Sequence, residues 1–225
     1  MPIKGILLDL DDTLYEYEPT HRQALDVVFD DIEKDINESR SSINAAFDLA
    51  KGRVKSILPA VASGHSRILY FQLMFEKMGF DAIPRALNAN DKYWSAFLEN
   101  IRLTEDAERF FKRIQGIPIC LLTDLTAEIQ YRKILRLRLE PNISFIVSSE
   151  ETGVEKPHPF MFQTGLVKLG LARDEVIMIG DSLKKDILGA SFLGIRSYWL
   201  NRGASVALKL PAYSQEIRSL DEVVL

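Results

Sequence analysis

Ile6-Leu7-Leu8-Asp9-Leu10-Asp11-Asp12-Thr13 is the stretch on which the fold turns, because an apolar strand here runs directly into three carboxylates. Like charges this close repel and raise one another's pKa unless a cation, a proton or oriented N–H groups compensate, so the cluster either lies in solvent or forms a site. The apolar run before it argues for a site. Short apolar runs bounded by turn or acidic residues recur at 117–122, 143–147, 176–179 and 195–200, and with 3–10 they read as buried strands. From residue 124 onward, segments of helical length separate them. That alternation implies an α/β fold: a parallel sheet with helices on both faces.

The linking helices carry their own signals. In residues 104–116, Thr104 can cap, Glu105 and Asp106 suit the positive end, Ala107, Phe110, Phe111 and Ile114 form one apolar stripe, and Gly116 can stop the helix. Pro159 suits the first turn of a helix through Leu169. Residues 16–102 break the alternation. Leu25, Val28, Phe29, Ile32 and Ile36 follow helical spacing, as do Ile43, Ala46, Phe47, Ala50 and Val54, then Leu87, Trp94, Phe97, Leu98 and Ile101. Residues 68–80 are apolar nearly all round, which predicts a helix buried inside this lobe. The expected architecture is a core of residues 1–15 and 103–225 with an all-α insertion at 16–102.

With 225 residues, 47% of them hydrophobic, the chain can bury one sizeable core, or one core plus a smaller lobe. A formal net charge of -4 removes the broad basic footprint that nucleic-acid binding needs. A basic start followed by a long apolar stretch is missing, and no apolar run approaches the ~20 residues of a membrane span, so a cytoplasmic protein without membrane partners is expected. The lone cysteine, Cys120, sits in an apolar run and reads as a small buried hydrophobe. Oligomeric state, monomer or homodimer, has no signature in the sequence.

In a parallel sheet, ligands bind beyond the carboxyl ends of the strands near a switch in strand order, so strand ends are read together. The first gives Asp9, Asp11 and Thr13; the second gives Thr123 and Asp124; the fourth gives Gly180-Asp181-Ser182; Lys156 lies on the loop after the third. These residues suit phosphoryl transfer. An ionised Asp9 can attack phosphorus and form an aspartyl-phosphate. Asp9, Asp181 and the backbone carbonyl of Asp11 offer the hard oxygens that Mg²⁺ prefers. Lys156 adds a positive charge to the phosphoryl oxygens, and the Thr123 hydroxyl with the Asp124 N–H can hold the same group. Asp11, two residues beyond Asp9, can protonate the leaving oxygen and later take a proton from water. Thr13 is expected to support the turn and bond Asp11, Ser182 to cap, and Asp186 to orient metal water or pair with Lys156.

This ordered set, Asp9-Leu10-Asp11-Asp12-Thr13, Thr123, Lys156, then Gly180-Asp181 with Asp186, resembles the four motifs of the haloacid dehalogenase superfamily. The resemblance covers the whole chain and implies a Rossmann-like core, Mg²⁺-dependent aspartyl-phosphate chemistry on a small phosphorylated metabolite, and a helical cap in the position of residues 16–102. Residues 9–15, 149–157 and 180–186 are most similar to the nucleotidase and N-acylneuraminate-phosphatase branch, and phosphoglycolate phosphatases and β-phosphoglucomutases share much of them. The dehalogenases of the superfamily lack an acid at the position of Asp11, so a phosphatase ranks first, a phosphomutase second, and a non-catalytic phosphate-binding protein third. Asp124 departs from the Asn or Gly common in relatives.

Three features take their ordinary structural reading. His21, His65 and His158 lack metal-ligand spacing and are placed on the surface or in loops. Gly64-His65-Ser66-Arg67 reads as an interhelical turn. The basic cluster Arg132, Lys133, Arg136 and Arg138 reads as a solvated helix face.

Overall fold

A computed structural model describes residues 2–203 and 209–225 of the chain. These residues divide into two compact units, one of residues 1–16 with 102–225 and one of residues 17–101.

The first unit is built on six parallel strands: β1 Gly5–Leu8, β2 Ile119–Thr123, β3 Phe145–Ser148, β4 Val176–Gly180, β5 Arg196–Leu200 and β6 Ser214–Ile217. Their order across the sheet is β3-β2-β1-β4-β5-β6. The chain leaves β1 toward β2 and β3, then returns to add β4 on the other side of β1. The switch in strand order therefore falls between β1 and β4. Every residue of β1, β2 and β4 is buried, as parallel strands covered on both faces require. This is the Rossmann-like α/β core expected from the alternation of apolar runs and helices.

β6 has no counterpart among the expected strands. It is an edge strand of sequence Ser-Gln-Glu-Ile in which Ile217 alone is buried, so nothing apolar marks it.

Of the connecting helices, α5 Glu105–Arg113 starts behind Thr104, and α8 spans Pro159–Leu169 with Pro159 in its first turn. Met161 and Phe162 of α8 pack against Leu7, Cys120, Leu122 and Val147 in the main apolar cluster. The helix comes close because Gly165 faces the sheet: a Cβ there would lie 2.8 Å from Leu7 Cδ2 and 2.9 Å from Leu122 Cδ1. Between β2 and β3 runs α6 Ala127–Arg136, and after β3 the one-turn helix α7 Ser149–Thr152. The core also closes on itself where the insertion leaves it, since the Thr104 amide donates to the Leu14 carbonyl at 3.0 Å.

The second unit holds α1 Tyr17–Ile36, α2 Arg40–Ile57, a 3₁₀ turn Ala62–His65, α3 Arg67–Lys77 and α4 Ala82–Asn100. Its interior is aromatic, with Phe47 edge-on to Phe29 and Tyr93 tilted against Phe97. Two expectations change here. The helix over 68–80 buries one face, Tyr70, Phe71, Met74 and Phe75, while Ile68 is exposed on the other. His21 is no surface residue: it is buried, with Nδ1 2.7 Å from the Tyr93 hydroxyl and its ring stacked on Tyr17. Burial together with the nearby Arg67 charge pushes its pKa down to about 3, so it is neutral. Arg67 is itself buried, its guanidinium 5.2 to 5.6 Å from the rings of Tyr70, Tyr93 and Trp94. No helix among the described residues is long and apolar enough to cross a membrane.

Candidate active site

β1 and β4 are neighbours, paired from Gly5 with Val176 to Leu8 with Ile179, so the residues that follow them emerge side by side. Asp9 follows β1 and Asp181 follows β4, flanking the switch point where an open α/β sheet leaves a crevice. Carboxylate oxygens of Asp9, Asp181 and Asp186 lie within 4.8 Å of one another.

Each acid is held differently. Asp9 is 5% exposed; its Oδ1 accepts from Lys156 Nζ and its Oδ2 from the Thr13 hydroxyl at 2.9 Å. Thr13 thus bonds Asp9 rather than Asp11. Its hydroxyl proton goes to Asp9 while its oxygen accepts from the Asp181 amide at 3.1 Å, which fastens the first strand end to the fourth. Asp186 is 1% exposed, accepting from Lys156 Nζ at 2.7 Å and from the Ser182 amide at 2.9 Å. It stands directly over Gly180, where a Cβ would collide with its carboxyl group. Ser182 caps the short helical turn Leu183–Ile187 by accepting from the Lys185 amide at 3.2 Å. Asp181 is braced by the Trp199 indole, which donates to its backbone carbonyl at 2.7 Å.

The charge balance is short of cations. Burial pushes Asp9 well above the carboxylate range, since repulsion from Asp186 and Asp181 adds to it and outlasts the pull of Lys156. Asp181 is pushed up to about 7 by burial and by Asp186. Lys156 goes the other way: desolvation opposes its charge, but Asp186, Asp9 and Asp124 hold its pKa well above the usual lysine value. Three acids thus share one buried ammonium. Three carboxylates with a single ammonium among them leave excess negative charge on oxygen donors, the environment a hard divalent cation fits.

Asp11 stands apart from this cluster. Its side chain, 30% exposed, accepts at Oδ1 from Lys133 Nζ at 2.7 Å and from the Tyr15 hydroxyl. Gln130 Nε2 lies 3.4 Å from its other oxygen. Burial alone would raise its pKa, but Lys133 and these hydrogen bonds hold it below the usual range. Asp12 takes up a left-handed backbone conformation, φ 60°, and makes the turn.

Thr123 and Asp124 end β2. The Thr123 hydroxyl is fully buried and accepts from Gln130 Nε2 at 2.5 Å. The Asp124 carboxylate, which departs from the expected residue type, accepts from Lys185 Nζ at 2.7 Å and from the Lys156 amide at 3.1 Å. Its charge is therefore spent on holding the Lys156 loop.

Lys133 overturns the reading of its cluster as a solvated helix face: Arg132, Arg136 and Arg138 are exposed, while Lys133 is fully buried. Its position had a signal. Ile129, Lys133 and Leu137 repeat every four residues with Gln130 and Ile134 beside them, so Lys133 and Gln130 lie within the apolar stripe.

The chain is similar to known proteins along most of its length. The model of the haloacid dehalogenase-like hydrolases matches residues 3–194. The chain is 34% identical over 197 residues to the ribulose-1,5-bisphosphate 5-phosphatase of Halopiger xanaduensis, covering 86% of this chain and 82% of that one. It is 28% identical to the phosphoserine phosphatase of Thermus thermophilus, covering 89% and 90%. Among solved structures, a HAD phosphatase of Thermococcus onnurineus superposes with a TM-score of 0.77 at 21% identity, over 98% of this chain and 95% of that one. Motif order, strand order and these likenesses coincide along nearly the whole sequence, and the chain belongs to the haloacid dehalogenase-like hydrolases.

Proposed function

We propose that this chain is a Mg²⁺-dependent phosphatase that hydrolyses a small phosphate monoester, of the nucleotide or sugar-phosphate class, through an aspartyl-phosphate on Asp9. The observation that carries the reading is the cluster of Asp9, Asp181 and Asp186 around one buried ammonium, Lys156, at the switch point of the sheet. The relatives' names, phosphatases of ribulose-1,5-bisphosphate and of phosphoserine, support a small phosphate ester as substrate.

In this reading an Asp9 carboxylate oxygen bonds to phosphorus as the bond from phosphorus to the substrate oxygen breaks. Lys156 and Thr13 fix the nucleophile's orientation through their bonds to its two oxygens. The Asp9 and Asp181 carboxylates with the Asp11 carbonyl would hold Mg²⁺, which when bound offsets the repulsion between Asp9 and the phosphate dianion. Lys156, the Thr123 hydroxyl and the Asp124 N–H neutralise and hold the phosphoryl oxygens. Asp11 protonates the departing oxygen, then accepts a proton from the water that hydrolyses the intermediate. Lys133 and its other donors favour the ionised form of Asp11, which is the form that accepts the proton from water in the second step. The helical unit of residues 17–101 serves as the cap that selects the substrate.

The test is phosphate release with Mg²⁺ across nucleotides, sugar phosphates, phosphoserine and aryl phosphates, for the wild type and Asp9→Asn. Turnover should fall by at least ~10³-fold in the variant while its circular dichroism is unchanged. Near-normal turnover in Asp9→Asn would remove the nucleophile assignment.

A further inference from the structure

Lys133 raises a question that phosphate chemistry at the strand ends does not answer. A fully buried lysine is rare, because removing its ammonium from water costs several kcal/mol unless partners restore what hydration gave. Here the ammonium extends from α6 to Asp11 Oδ1 at 2.7 Å and lies 5.7 Å from the centre of the Tyr15 ring. The Tyr15 hydroxyl donates to the same oxygen. Gln130, one turn earlier on the same helix face, donates to Thr123 Oγ1 at 2.5 Å and to the Asp124 carbonyl at 2.8 Å, and approaches Asp11 Oδ2 at 3.4 Å.

The two oxygens of Asp11 are therefore held unequally. A carboxylate has about four lone-pair positions, and Oδ1 uses both of its own on Lys133 and Tyr15. Oδ2 has one long contact with Gln130 and keeps a lone pair. A pair that served stability alone would gain most by closing both oxygens. This one grips a single oxygen from two directions and leaves the other available at a side chain that is 30% exposed.

We propose that Lys133 is a positioning residue: reaching from α6, it clamps Oδ1 of Asp11 so that Oδ2 is the oxygen that exchanges the proton with the leaving group and then with water. This rests on the reading of Asp11 as general acid and base. Lys133 does not touch the phosphoryl group in this assignment; it acts only through Asp11, with Tyr15 as the second jaw of the clamp.

The experiment compares wild type, Lys133→Met and Lys133→Arg on an alkyl phosphate and on 2,4-dinitrophenyl phosphate, measured as kcat/KM. Dinitrophenolate departs without a proton, whereas an alkoxide needs one. For Lys133→Met the alkyl ester should lose roughly tenfold to a hundredfold and the dinitrophenyl ester less than about threefold. Lys133→Arg keeps a cation at altered geometry and should fall between, which also provides the reading if the methionine variant does not fold. Equal losses on both esters, or none on either, would overturn the clamp in favour of a purely structural ion pair. A crystal structure of either variant gives a second reading independent of turnover: the Asp11 carboxylate should rotate, and an unmoved Asp11 overturns the proposal. Failure of the wild type on both esters would instead overturn the phosphatase reading.

Discussion

Gly180→Ala tests whether the site depends on a void at the end of β4. A Cβ built on Gly180 collides with the Asp186 carboxyl and lies 2.7 Å from Asp186 Cβ, where ordinary contact begins near 3.4 Å. Asp186 is 1% exposed and tied to Lys156 and to the Ser182 amide, so it has no open space in which to turn. Its carboxylate must retreat by about 1 Å, a displacement that costs roughly 10²-fold in rate when it reaches a catalytic group, here Lys156 and through it Asp9. Forcing a methyl into a packed site also costs about 1–3 kcal/mol of stability. The expected variant folds, unfolds earlier in urea and hydrolyses p-nitrophenyl phosphate about a hundredfold more slowly. Because the Asp186 Cβ is itself part of the obstruction, Gly180→Ala/Asp186→Gly removes it, and in that double variant the Gly180 change should be nearly neutral for stability, a favourable coupling between the two changes. If Gly180→Ala keeps wild-type turnover, or if its stability cost persists in the double variant, the packing argument is wrong.

Two further outcomes concern charge. Asp106 accepts from Arg202 Nη1 at 2.9 Å and from the Leu220 amide at 2.9 Å; burial opposes its charge, but Arg202, Thr104 and that amide pull its pKa down to about 2. A depressed folded pKa stabilises above the unfolded value of about 3.9 and is lost below it, so the pairing contributes about 2 kcal/mol near neutrality and fades from about pH 4 toward pH 2. Urea unfolding of Asp106→Asn should therefore show a deficit at pH 6 that shrinks by pH 3; an equal deficit at both would contradict the assignment. Mg²⁺ at about 100 times its Kd should stabilise the wild type by about 2.7 kcal/mol in thermal unfolding, reversibly on chelation, and Asp181→Asn should lose that increment. An equal gain in the variant would place the ion elsewhere.

What the sequence disclosed follows from where each residue sits against its background. Asp9, Asp11 and Asp181 were legible because a carboxylate that interrupts an apolar strand has no structural excuse. Three helices of residues 17–101 were legible from period, and the one over 68–80 from its apolar content, which hid its exposed face. β6 was not, because an edge strand needs hydrogen bonds more than apolar side chains. Lys133 and His21 were misread for one shared reason: a polar residue within an apolar stripe was assigned by its chemical type rather than its phase on the helix. Asp124 was ambiguous because its own position carries no sign of Lys185, sixty-one residues away, which takes its charge.

The hydrogen bond from the Thr104 amide to the Leu14 carbonyl has a consequence for how such a chain can diversify. The core seals the point where residues 17–101 depart and return, so the two junctions stay within one peptide contact whatever the intervening segment does. Loop-closure entropy then sets little penalty on the length or sequence of that segment. Its helices are free to be exchanged, lengthened or trimmed to a turn while the register of β1 against β4 is preserved. The inserted helices and the sheet that carries the strand-end acids thereby become separately variable parts of a single polypeptide.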